Sequence, residues 1–255
     1  MTNAPIDPLV IIELTNLKAA GKLKELVGHS ALVMKPAWIE ELAQNKDYEV
    51  RSTLAQNPAI VNSSEGIQTL STDRDFYIRS ILAKNPAIAN CPDIITKLSK
   101  DRSKQVRMHL AQNPAIASSP KAIQTLAADE HSLVRYWLAA NPTIANYPEI
   151  IKQLATDEHY LVRSILAKNP AIGLSAKVIQ TLASDKTWFV RQSLARNPAT
   201  IASPEAIQRL SSDPNLYIQQ SLAINPELSW LYRPVSPHHR ARSLSQYPQD
   251  SHIPR

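Results

Sequence analysis

Residues 157–184 read DEHYLVRSILAKNPAIGLSAKVIQTLAS, and the 28 residues before them, 129–156, read DEHSLVRYWLAANPTIANYPEIIKQLAT. The two strings are in register, and the register runs outward in both directions. Asn-Pro occurs at Asn57, Asn85, Asn113, Asn141, Asn169, Asn197 and Asn225, always at the same 28-residue interval. Val or Ile stands seven residues before each of these Asn, from Val50 to Ile218, and Leu-Ala begins three residues before it. Arg follows the Val or Ile at Arg51, Arg79, Arg107, Arg135, Arg163 and Arg191, and Gln219 replaces it in the last copy. Asp opens the unit at Asp73, Asp101, Asp129, Asp157, Asp185 and Asp213, with Asn45 in the first copy. Several columns held in phase over six intervals define an internal repeat.

The unit reads as two short helices. Asp157 is placed to cap the first, its carboxylate accepting from the free N–H groups of the first turn. Val162, Ile165, Leu166 and Asn169 follow at i, i+3, i+4 and i+7, one helical face. Asn169-Pro170 ends that helix, because the residue before Pro is pushed out of the α region. Residues 171–174 read as a connector. Pro92, Pro120, Pro148 and Pro204 suit the first position of a second helix, and Ser119 and Ser203 suit its N-cap. The second helix carries its apolar face on pairs such as Ile123/Leu126 and Ile179/Leu182. A two-helix unit this small cannot bury its own face, so the units must stack into a quasi-one-dimensional solenoid. The expected fold is all-α: an α-solenoid of seven to eight 28-residue two-helix repeats with degenerate terminal caps.

The expected division is an N-terminal helical cap over residues 1–28, the solenoid over 29–232 and a flexible basic tail over 233–255. Trp230-Leu231-Tyr232 is expected to fold over the exposed last helix. The chain has 255 residues, 44% hydrophobic and 20% charged, with only 4 Gly, a globular profile. No apolar run approaches the roughly 20 residues a membrane span requires, and Leu9–Leu14 is too short to read as a signal peptide. The single cysteine, Cys91, supplies neither an internal disulfide nor a Cys-based zinc site by itself. The chain therefore reads as soluble and cytoplasmic. The net charge is +6. The tail holds four Arg against Asp250, which is half of that excess, so the repeat body is close to neutral. That is weak support for a phosphate-binding face.

The string Asp-x4-Val-Arg-x2-Leu-Ala-x-Asn-Pro, followed by Ile, Pro and Leu-Ala, resembles the leucine-rich repeat variant family and, in style, HEAT repeats. The resemblance covers about residues 29–228. It implies a right-handed helical superstructure that serves binding, with no shared catalytic residues. Units of that family are usually shorter, with a tight helical turn in place of one α-helix; the longer unit here points to two α-helices.

The Arg column reads as a structural ladder, Arg51, Arg79, Arg107, Arg135, Arg163 and Arg191 facing Asp73, Asp101, Asp129, Asp157 and Asp185, with a ligand-facing row as the rival reading. The Asn column is expected to satisfy orphan backbone groups at helix ends. His131 and His159 share a column, but stacked helices lie about 8–10 Å apart, too far for convergence on a metal. Tyr48, Phe76, Tyr77, Tyr160, Trp188, Phe189 and Tyr217 fall in two adjacent columns, which suits packing between helix junctions. Tyr136 and Trp137 depart most from their columns. They read equally as a binding hot spot and, since Trp137 shares its column with Ile165, as a locally filled core. Gln68, Gln124, Gln180 and Gln208 repeat on the second helices, which in two-helix solenoids usually line the concave side.

No Gly-rich phosphate loop, nucleophile elbow or His/Cys triad is legible. The expectation is a non-enzyme without cofactor or metal: a scaffold binding a protein or peptide along its groove, with no membrane partner. A nucleic-acid binder of the DNA-alkylation-repeat style is the disfavoured alternative, since the body lacks a basic groove with interleaved aromatics. A HEAT-type accessory subunit of an enzyme such as a chromophore lyase is the third reading. Partner identity and oligomeric state are not legible in the sequence.

Overall fold

A computed structural model describes residues 27–28 and 34–228. The expected cap over 1–28, apart from those two residues, and the tail over 233–255 with Trp230-Leu231-Tyr232 lie outside the described residues. Among the described residues there are fourteen α-helices and no strand. The first helices of successive units are α2 (Tyr48–Gln56), α4 (Phe76–Lys84), α6 (Lys104–Gln112), α8 (Ser132–Ala140), α10 (Tyr160–Lys168), α12 (Trp188–Ala195) and α14 (Leu216–Ala223). The second helices are α1 (Pro36–Ala43), α3 (Ser64–Ser71), α5 (Pro92–Leu98), α7 (Pro120–Ala127), α9 (Pro148–Ala155), α11 (Ala176–Ala183) and α13 (Pro204–Ser211).

The stretch read as a connector is itself a helix. Pro58–Asn62 and its five counterparts, down to Pro198–Ala202, are 3-10 turns. Each begins with the Pro of Asn-Pro, whose fixed φ suits a first helical position, and each is capped by the preceding Asn, whose Oδ1 accepts from the N–H two residues on, as in Ala59 to Asn57 at 2.8 Å. Its Ile points inward; Ile60, Ile88, Ile116, Ile144 and Ile172 are fully buried. Thr200 takes that place in the sixth unit, also fully buried, and satisfies its hydroxyl by donating to the Leu194 carbonyl at 2.6 Å.

The cross-section therefore has three layers rather than two. First helices stack on first helices, second on second, and 3-10 turns on 3-10 turns. Between them runs one continuous apolar core. Val106, Leu110, Ile116, Ile123 and Leu126 supply one unit's share, all fully buried, each burial favourable by about 1.5–3 kcal/mol. From the second unit on, the first helices approach one another more closely than the second helices do. Ser and Ala at the contact permit it, as where Ser164 and Ser193 hydroxyls meet at 2.9 Å.

The first helix also starts later than the Asp-capped reading places it. The N-cap of α10 is His159, not Asp157. Asp157 instead accepts from the His159 N–H at 2.9 Å, and its other oxygen is taken by the preceding unit.

Candidate functional site

Two ladders run the length of the stack. In the first, each Arg reaches forward to the Asp that opens the next unit. Arg79 Nε donates to Asp101 Oδ2 at 2.6 Å and its Nη2 to Oδ1 at 2.9 Å, a bidentate pair. Its Nη1 donates back to the carbonyl of Asp73, in its own unit, at 2.6 Å. Arg107, Arg135, Arg163 and Arg191 repeat the arrangement with Asp129, Asp157, Asp185 and Asp213. Arg51 meets Asp73 through Nε at 2.7 Å. Each guanidinium thus bridges two units at one point. The ends are neutral: Asn45 opens the first unit, and Gln219 closes the row by donating to the Asp213 carbonyl at 2.8 Å, a contact that leaves no charge without a partner.

The second ladder is made of Asn. Asn113 Nδ2 donates to the carbonyls of Ala83 at 2.8 Å and Asn85 at 3.0 Å, both one unit back. Its Oδ1 accepts from the Ala115 N–H. Asn85, Asn141, Asn169, Asn197 and Asn225 do the same, and all are buried. The amide is used up within the stack. Among the described residues, every buried side-chain N or O has a hydrogen-bond partner.

The Arg–Asp ladder links stability to pH. Burial alone raises the carboxyl pKa of Asp101, Asp185 and Asp213. The guanidinium of Arg79, Arg163 or Arg191 and the N–H of Ser103, Thr187 or Asn215 more than offset it, so each lies below the ordinary value of 3.8. Above that value both folded and unfolded chains are ionised and the pairs contribute fully; as pH falls below it, the unfolded chain takes up protons first and stability is lost through the folded values. His109 lies below its ordinary 6.5 because of burial and then of Lys84, so the neutral ring is favoured in the fold. Its loss begins as pH falls past 6.5, where the unfolded chain protonates first. Thermal melts against pH should therefore show a small decline below about pH 6.5, absent in His109→Gln, and a larger one below about pH 4.

The candidate binding residues are placed as follows. Tyr136 and Trp137 are half-buried on α8 and packed against the core, their rings edge-to-face at 5.3 Å. Gln68, Gln124, Gln180 and Gln208 are exposed on the second helices, and Gln180 donates to Glu205 at 3.3 Å. The two groups lie on different layers. The early aromatic columns do not pack between junctions as expected. Phe76, Tyr77, Tyr160, Trp188 and Tyr217 are 44–67% exposed, and Leu133 and Leu216 join them. Only Tyr48 and Phe189 are half-buried, Tyr48 against Tyr77 at 6.0 Å and Phe189 beneath the Lys168 ammonium at 5.5 Å. A signal was present: the same columns admit Lys104 and Gln105, which no core position tolerates. His131 is exposed, His159 Nδ1 accepts from the Leu161 N–H, and no cluster of metal-ligating side chains occurs among the described residues. None of their helices is long and apolar enough to cross a membrane.

No protein-family model matches the chain, and no curated protein matches it. Among solved structures the chain is similar to one described as a leucine-rich repeat variant with a novel repetitive protein structural motif, at 20% identity and a TM-score of 0.48, over 82% of this chain and 79% of that one. It is also similar to an engineered protein at 16% identity and a TM-score of 0.29, over 72% of this chain and 94% of that one.

Proposed function

We propose that the chain is a non-catalytic scaffold that binds a protein or peptide along the outer face of its first helices. The observation that carries this is the division of labour between columns. The inward columns are nearly invariant and satisfied by the two ladders. The variable columns of the first-helix turn expose a row of large apolar side chains, from Phe76 and Tyr77 to Leu216 and Tyr217. Large apolar side chains exposed at the same turn of several units, interrupted at Lys104 and Gln105, mark an interaction site, and variation on a constant scaffold is where specificity resides. We assign Tyr136 and Trp137, half-buried on the first helix of the central unit, to the same contact. The Gln row belongs to the other side of the stack and is assigned at most a secondary contact. Capture from native lysate identifies the partner. Tyr136→Ala with Trp137→Ala should then weaken binding by about 2 kcal/mol or more, with circular dichroism and the melting temperature little changed. Marked unfolding of the double variant assigns the pair to the core instead.

A further inference from the structure

We propose that the groove between the second and third units receives an acidic segment of the protein partner. The inference rests on the scaffold reading and names the chemistry it would recognise. At four junctions an open groove runs between the end of the second helix and the start of the next first helix, floored by the Arg–Asp ladder. The floor is constant and the walls vary. At the junction of the second and third units the groove encloses about 420 Å³ and is walled by Arg74, Lys97, Lys100 and Arg102. Its two floor carboxylates are committed: Asp101 takes both donors of Arg79, and Asp73 takes Arg51. Asp75, next to Arg74, caps α4 through the Tyr77 N–H. The four wall cations make no ion pair among the described residues. The preceding groove, about 320 Å³, adds Lys46 and shares Arg74.

The patch has ends. In the column of Lys46, Arg74 and Arg102, the next two units carry Glu130 and Glu158. The corresponding groove at the fifth unit is lined by Glu158 with Lys186, and that at the sixth by Glu205 with Arg209. Stacked units lie about 8–10 Å apart, so three cations of one column span roughly 16–20 Å, the reach of an extended peptide of about five or six residues. A nucleic-acid strand following the stack would meet Glu130 and Glu158 with its phosphates. A short acidic segment meets only the basic stretch. Phe76 and Tyr77, exposed within the turn after Arg74, offer apolar contact beside the charges.

The test uses the full chain and a short fluorescein-labelled peptide of alternating Glu and Leu, with single-stranded oligothymidine as competitor. The wild type should bind the peptide, and binding should fall as salt shortens the Debye length from about 10 Å toward about 3 Å. Arg74→Glu with Arg102→Glu should weaken it about tenfold or more at unchanged melting temperature, while Lys186→Glu, in the same column at the sixth unit, leaves it unaltered. Equal binding by the double variant overturns the proposal. So does tighter binding of the oligothymidine, or a dimer of the wild type that the double variant splits, which would make a second copy of the chain the occupant. If the captured partner still depends on Tyr136 and Trp137 while the peptide shows no dependence on Arg74 and Arg102, the acidic segment is excluded and the scaffold reading stands.

Discussion

Arg135→Ala is expected to destabilise the protein by about 3 kcal/mol, the scale of removing one partner from a buried pair. Asp157 is then left nearly buried, its side chain 6% exposed, with only the His159 N–H to hold its charge. The Asp129 carbonyl loses its donor as well. The damage falls on one junction, and in a stack where each unit contacts only its neighbours a weakened junction lowers the cooperativity of the whole. Denaturant unfolding should show a lower midpoint and a broader transition. Asp157→Asn in the Arg135→Ala background should recover part of the loss, because the uncompensated charge is gone. Gln219→Ala, which removes one neutral hydrogen bond from the end of the ladder, should cost only about 1 kcal/mol. Equal effects at Arg135 and Gln219 would contradict a charge-paired ladder.

Asn141→Ala is expected to cost about 2–4 kcal/mol, since leaving a buried polar group unsatisfied costs about 1–3 kcal/mol. The amide donates to the carbonyls of Ala111 at 2.8 Å and Asn113 at 3.3 Å, and accepts from the Thr143 N–H and hydroxyl. Truncation leaves all of these without it. Asn141→Asp keeps the shape and the acceptor but turns a carboxylate oxygen toward two carbonyls. It should be at least as damaging at pH 7. A stable Asp variant would mean that size rather than the donor matters at this position. Urea unfolding of both variants separates the cases.

How far each feature could be read before folding depends on the range of the interaction that makes it. Val162, Leu166 and Asn169-Pro170 announce a helix and its end because periodicity and proline act within a few residues. The 3-10 turn escaped that reading. Five residues are too short for a period, and its stability comes from an Asn cap and from an Ile buried among neighbouring turns. The position of Asp157 suggests a cap for the same reason: its carboxylate is held by Arg135, 22 residues away, and no local rule sees that partner. The aromatic columns read as interior because aromatic residues are usually buried, although Lys104 in the same column points outward.

By itself, the sequence determined that the chain is a repeat, its 28-residue period, the helical nature of the unit and the columns that face inward. These follow from periodicity and from the inability of one small unit to bury its own face. The tertiary structure decided which Asp each Arg meets, that Asn ties each unit to the carbonyls of the one before it, and which layer packs tightly. It also decided that Phe76, Tyr77, Tyr160, Trp188 and Tyr217 face solvent and that Arg74, Lys97, Lys100 and Arg102 share one groove. Each of these depends on residues far apart in the chain lying at neighbouring positions of adjacent units, a relation set by the stacking geometry and not by any single unit.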